Sequence, residues 1–240
     1  MRFDVRRMSL VVLALAGGAS SLPALSQPVD VDASRAAPAE DQVASPVPTP
    51  DPLAPSDAVA QLKDWAVASG DPGGLPFIVI DKVAAAVFAF DASGGFVGAA
   101  PALLGIAHGD DSTPGIGSRK LSSMGPKERT TPAGRFAARI GPALGANRNV
   151  LWIDYHTSVA LHSVIKGTKE RRVERLKSVS ADDNRITFGC INVPDDYYKY
   201  VVRPLFIRRS GIVYILPESK SLTEVFPAFT TAGPLAPPAG

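Results

Sequence analysis

From Leu75 to about residue 218, strand-length apolar runs alternate with turn-forming residues, and this texture fixes the class of fold. PFIVIDK, AAVFAFD, NVLWIDY, VALHSVI, ITFGCINV and GIVYILPE are rich in β-branched and aromatic residues. Gly, Pro, Asp, Asn and Ser separate them. The pattern predicts a mostly β domain over residues 75–218 with a few short helices. NVLWIDY and VALHSVI read as a hairpin joined around His156-Thr157-Ser158. Residues 56–74 read as a short helix and lead-in, with Ser56 as N-cap and Gly70 at the end. PDDYYKYVVRPLF reads as another helix, with Pro194 at its first position and Asp195 and Asp196 near its positive end. Residues 108–134 read as a long loop, and loops of that length in compact domains are usually functional or mobile.

The ends have a different composition. Arg2, Arg6 and Arg7 precede an apolar run from Ser9 to Ala16, and Ala24 and Ser26 stand like a cleavage site before Gln27. Residues 1–26 therefore read as a signal peptide, with export to the periplasm or cell wall. The run is too short to span a bilayer, so no stable membrane insertion is expected after cleavage. Residues 27–55 read as a Pro/Ala-rich linker and 219–240 as a Pro/Ala-rich tail. A formal net charge of +2 lacks the basic footprint of a nucleic-acid binder.

The chain has one cysteine, Cys190, so an internal disulfide is excluded. It stands in Thr187-Phe188-Gly189-Cys190-Ile191-Asn192, and the glycine before it permits a tight backbone approach. The same segment also suits a buried structural cysteine in an apolar strand. A thiol nucleophile needs an imidazole to take its proton. The three histidines, His108, His156 and His162, all precede Cys190. Only a His-before-Cys enzyme is therefore possible, which excludes papain-like peptidases. His162 lies in an otherwise apolar strand, where it can be held rigidly, and is the candidate base. His156 falls in the hairpin turn. His108 stands beside Asp110 and Asp111, but the spacing matches no strong metal-ligand pattern.

His162-Ser163, followed by Thr187-Phe188-Gly189-Cys190-Ile191-Asn192, resembles the signature of the YkuD-type L,D-transpeptidases, peptidoglycan cross-linking cysteine enzymes. Phe77–Phe90 is similar to the family's opening strand pair. Gly105 and the segment Thr131-Pro132-Ala133-Gly134-Arg135-Phe136 are similar to its T-P-x-G-x-F region. The resemblance implies a β-sandwich-like catalytic domain and no cofactor or metal. It implies peptidoglycan stem peptides as partners, with an amine or a wall-attached protein as acyl acceptor. Cys190 would be the nucleophile, His162 its base, and Ser163 would orient the imidazole through side chain or backbone carbonyl. Thr187, Gly189 and Asn192 would face the substrate, with backbone N–H groups near Gly189 and Cys190 holding the oxyanion.

Two departures matter. Phe188 stands where many members carry His. The separation of His162 from Cys190 is 28 residues, about ten more than in many members, and the extra length is the charged stretch 166–185. That stretch holds seven Lys/Arg and four Asp/Glu, and reads either as a lid or acceptor-docking surface or as a solvated insertion. The alternatives are an L,D-carboxypeptidase or amidase using water, a sortase-like enzyme, and a non-catalytic peptidoglycan-binding module of the same fold.

Overall fold

A computed structural model describes residues 53–229. The expected signal peptide, nearly all of the linker, and the tail from Thr230 onward lie outside the described residues. The body is mostly sheet. In chain order its elements are helix α1 (Asp57–Ser69) and strands β1 (Phe77–Asp81), β2 (Ala86–Phe90), β3 (Phe96–Pro101), β4 (Leu104–Gly105), β5 (Gly134–Pro142), β6 (Asn149–Asp154) and β7 (Val159–Ser163). Helix α2 (Arg172–Arg175) and strands β8 (Arg185–Thr187) and β9 (Ile191–Val193) follow. Then come α3 (Asp195–Tyr197), a π-helical turn (Tyr198–Val202), α4 (Arg203–Phe206), β10 (Gly211–Ile215) and α5 (Leu222–Val225).

Eight strands form one sheet in the order β3-β2-β1-β10-β5-β6-β7-β9, and β4 pairs with β8 beside it. β5 is the joint between two halves. Gly134–Ala138 pairs with β10, and Arg139–Pro142 pairs with β6. Both halves turn one face into a shared core. Ile78, Ile80, Val87 and Val213 come from the first half, and Leu151, Ile153, Leu161, Ile191 and Val193 from the second. Tyr197, Val202 and Phe206 of the helical segment fill the same core. Pro204 lacks an N–H for a helical bond to the fourth residue before it, and the helix widens into its π turn just ahead of that proline.

Alternate residues of the first half, including Phe77, Val79, Phe88 and Tyr214, point the other way. There they meet Val59, Leu62 and Ala66 of α1. Burial on both faces explains why β1 reads as a continuous apolar run rather than an alternating one. Residues 219–229 do not begin a tail. Ser221 caps α5 with Glu224, and Phe226 and Phe229 bury against the α1 side of the sheet. The segment is short and runs into Pro227, Ala228 and the Pro/Ala residues that follow, which is why it reads as part of that end.

One buried charge cluster holds the loops near the second half. The Lys82 ammonium, fully buried, donates to Asp110 Oδ1 at 2.7 Å, Gly109 O at 2.6 Å and Thr131 O at 3.1 Å. Asp110 also accepts the N–H groups of Glu218, Ser219 and Lys220 at 2.7–2.9 Å. Arg185 bridges Glu218 and the Lys82 carbonyl. Burial opposes ionisation of Asp110, yet the bonds from Lys82 and the three N–H groups outweigh it and bring its carboxyl down to about 2. That contribution to stability is complete above the ordinary carboxylate value and fades as pH falls toward about 2.

Removing the cation leaves the buried Asp110 carboxylate without its counter-ion. Lys82→Met is expected to lower the unfolding free energy by about 3–5 kcal/mol in urea titration at neutral pH. A loss under about 1 kcal/mol would mean that the cluster does not tie the loops down.

Candidate active site

β7 and β9 run parallel at the end of the second half, with His162 paired to Asn192 and Leu161 to Ile191. Side chains alternate across a strand, so Leu161, Ile191 and Val193 enter the core. Ala160, His162, Cys190 and Asn192 share the opposite face. Cys190 precedes Asn192 by two positions, which makes it the diagonal neighbour of His162.

The turn that presents Cys190 is built by its neighbours. Gly189 has φ +121°, and a Cβ there would come 2.8 Å from Thr130 O, so only glycine fits. The Thr187 hydroxyl donates to Cys190 O at 2.6 Å and accepts from Gly189 N–H at 3.1 Å. Thr131 Oγ1 donates to Gly189 O and accepts from Gly105 N–H, both at 2.9 Å. The T-P-x-G-x-F segment and Gly105 thus clamp the turn. Thr187 is 1 % exposed and both hydrogen-bonding roles of its hydroxyl are internal, so it shapes the turn. Of the N–H groups expected to face an oxyanion, that of Gly189 is already bonded to Thr187. Phe188 packs under the Arg129 guanidinium, 3.9 Å from the ring centroid, while Arg129 itself bonds Met124 O.

His162 is 7 % exposed and is held at both ring nitrogens. Nδ1 lies 2.8 Å from Ser163 O, and Nε2 lies 3.2 Å from Asn192 Nδ2. Arg172 Nη1 donates to Asn192 Oδ1 at 3.0 Å. A guanidinium can only donate, so it fixes which end of the amide faces it. The amide NH₂ then faces Nε2, which must accept, and Nδ1 carries the proton donated to Ser163 O. Ser163 therefore orients the ring through its backbone carbonyl. Asn192 is fully buried between the two partners. Burial, with Arg148 and Arg172 adding positive charge against the backbone bond to Ser163, pulls His162 down to about 4. The ring is neutral at pH 7, with Nε2 as its basic nitrogen.

The Cys190 thiol is partly buried against Val150, Trp152 and Ala160. Its S–H donates to Ser158 O, at 3.6 Å, and no hydrogen bond joins it to His162. Ser158 holds φ +58°, an uncommon value for a residue with a side chain, in the turn between β6 and β7. Burial pushes the thiol up, against the Ala160 N–H and the charges of Arg148 and Arg172. The resting site holds a neutral thiol and a neutral imidazole, not a thiolate held below the ordinary ~8.5.

The other histidines lie elsewhere. His108 is exposed beside Glu218, with Nδ1 3.1 Å from Oε2, and His156 is exposed in the hairpin turn. Among the described residues, no group of three or more His, Cys, Asp or Glu side chains gathers as metal ligands. Residue-type reasoning did not find Arg172, Arg148 or Ser158. Arg172 carried a partial signal, since it falls in the charged insertion.

No family model and no curated protein matches the chain. Its fold is similar to that of solved L,D-transpeptidases. One from Xylanimonas cellulosilytica is 14% identical, with a TM-score of 0.35, over 59% of this chain and 60% of that one. L,D-transpeptidase 1 of Mycobacterium tuberculosis is 16% identical with a TM-score of 0.32, over 59% and 60%. An L,D-transpeptidase solved with imipenem is 15% identical with a TM-score of 0.34, over 59% and 58%. The chain thus spans about 60% of the solved structures it matches.

Two titrations follow from this geometry. Iodoacetamide should alkylate Cys190 slowly at pH 7 and faster only as pH rises above the ordinary thiol range, with no fast plateau on the acid side. A rapid, pH-independent reaction between pH 5 and 7 would reveal a thiolate–imidazolium pair instead. His162 has a folded value below its unfolded one, so the unfolded chain takes up the proton first as pH falls. Its contribution, complete above the ordinary imidazole value of 6.5, is lost by about pH 4 and amounts to about 3 kcal/mol. Unfolding measured from pH 7 to 4 should lack that component in His162→Gln.

Proposed function

We propose that the chain is an exported cysteine acyltransferase acting on peptidoglycan stem peptides, an L,D-transpeptidase in reaction. The observation that carries this reading is the shared sheet face. Cys190, in the turn just before β9, packs against Ala160 of β7, two positions from His162, whose basic Nε2 faces Asn192. In this reading the Cys190 thiol attacks the carbonyl after the diamino acid of the stem. The thiol proton passes to His162 Nε2, and from there to the leaving D-alanine amine. The thioester on Cys190 is then opened by an amine of a second stem or of a wall-attached protein. His162 accepts that amine's proton and returns it to the departing sulfur.

The resting arrangement fits a thiol that reacts only once substrate is seated. The S–H must leave Ser158 O, and Nε2 must leave the Asn192 amide, before the proton can move. A neutral thiol is also less prone to oxidation, which suits a lone cysteine outside the cytoplasm. The basic start and apolar run of residues 1–26 support export. No helix among the described residues is long and apolar enough to cross a membrane. The Ser158 contact also favours a second reading, in which the fold binds wall peptides without turning them over.

Incubation with a stem tetrapeptide, followed by mass spectrometry, separates these outcomes. The proposal expects a cross-linked dimer from the wild type and none from Cys190→Ala. His162→Ala should lose about 10²–10⁴-fold in rate. Tripeptide without dimer would make water the acceptor. No product and no adduct on Cys190 would leave the binding module.

A further inference from the structure

The charged insertion places one cation at the heart of the site, and it is only partly used. Arg172 stands at the start of α2, and Leu176 and Val173 anchor this segment against Leu103 and Val164. Its side chain is 11 % exposed. Nη1 bonds Asn192 Oδ1, but the buried Nε has no hydrogen-bond partner. The nearest carboxylate, Glu170, is 3.9 Å from Nε, beyond hydrogen-bond reach. Buried donors are nearly always satisfied, so an orphaned guanidinium N–H beside a reactive thiol needs an explanation. A guanidinium edge matches a carboxylate with two parallel bonds. The charges acting on both His162 and Cys190 are Arg148 and Arg172, and Arg148 is exposed with no ion-pair partner in the described residues. The charges felt at both groups are thus positive.

We infer that Arg172 is the specificity residue that binds the α-carboxylate of the leaving D-amino acid. This rests on the proposed acyl transfer and deepens it. The leaving amine and its carboxylate sit on one carbon. When the amine meets His162 Nε2, the carboxylate falls toward the guanidinium that holds Asn192, one hydrogen-bonded neighbour away. A carboxylate on Arg172 also competes with Asn192 Oδ1 for the guanidinium. It thereby loosens the amide that occupies Nε2 and frees that nitrogen for the thiol proton. Substrate recognition and base release then become one event. The insertion that lengthens the His–Cys spacing is what delivers this group.

The test compares a stem tetrapeptide ending in free D-alanine with the same peptide ending in D-alaninamide. For the wild type, kcat/KM should favour the free acid by about 10- to 100-fold, the worth of one charge-assisted pair. Arg172→Gln should bring the ratio near one, chiefly by loss on the acid. Arg172→Lys, which keeps the charge without the fork, should fall between. A second pair of donors, with the diaminopimelate carboxylate free or amidated, should give a ratio that Arg172→Gln leaves unchanged. If that ratio responds instead, the assigned carboxylate is wrong. An activity-independent arm follows the Arg172 Nε–H resonance by ¹⁵N NMR during titration with N-acetyl-D-alanine or N-acetyl-D-alaninamide. The acid should shift it saturably and the amide should not. An unmoved resonance, or equal acid-to-amide ratios in wild type and Arg172→Gln, overturns the inference. Failure of any donor to acylate Cys190 overturns the acyl-transfer reading, while the titration still judges Arg172.

Discussion

The register of β7 against β9 is the constraint on which the site depends. With His162 opposite Asn192, the imidazole, the amide and the thiol all fall on one face, while Leu161, Ile191 and Val193 enter the core. A slip of one residue would turn those apolar side chains out of the core and drive the polar ones into it. The hydrophobic effect therefore sets the chemistry's geometry. Core residues lock the register, and His162, Asn192 and Cys190 occupy the positions the core does not use.

The turn before β9 needs a second source of order, because its glycine has no side chain to pack. It comes from a relay that starts in the buried charge cluster. Lys82 holds the Thr131 carbonyl, and the Thr131 hydroxyl holds Gly189 O. Thr187 closes the loop onto Cys190. A cation far from the thiol in sequence thus fixes the backbone on which the thiol sits. This arrangement explains why the loop 108–134, expected to be mobile or functional, is pinned at both ends. Asp110 binds residues 218–220, and Thr131 binds the turn at Gly189.

Much of this was legible in the sequence, for physical reasons. Apolar runs bounded by turn residues marked the strands from Phe77 to Ile215. The Gly-Cys pair and the single strand-borne histidine marked the candidate site. The rest depends on contacts that sequence spacing does not encode. Phe226 and Phe229 bury because α1 leaves one side of the sheet open to them. Lys82 reads as a turn residue after β1 and becomes a buried cation only when Asp110 and Glu218 close around it. Seven basic residues in 166–185 look alike in one dimension, and folding alone selects Arg172 to reach Asn192. The state of the thiol was the largest surprise. Its position followed from the motif, but its burial and its bond to Ser158 follow from the packing of β6 and β7.

Covalent capture tests the nucleophile most directly. A carbapenem presents a strained acyl group that a competent thiolate opens to a stable thioester. Intact-protein mass spectrometry of the wild type should then record the addition of one carbapenem, mapped to the peptide containing Cys190, and Cys190→Ala should gain nothing. An unmodified wild type, or a Cys190→Ala protein that still takes up the compound, would contradict the account.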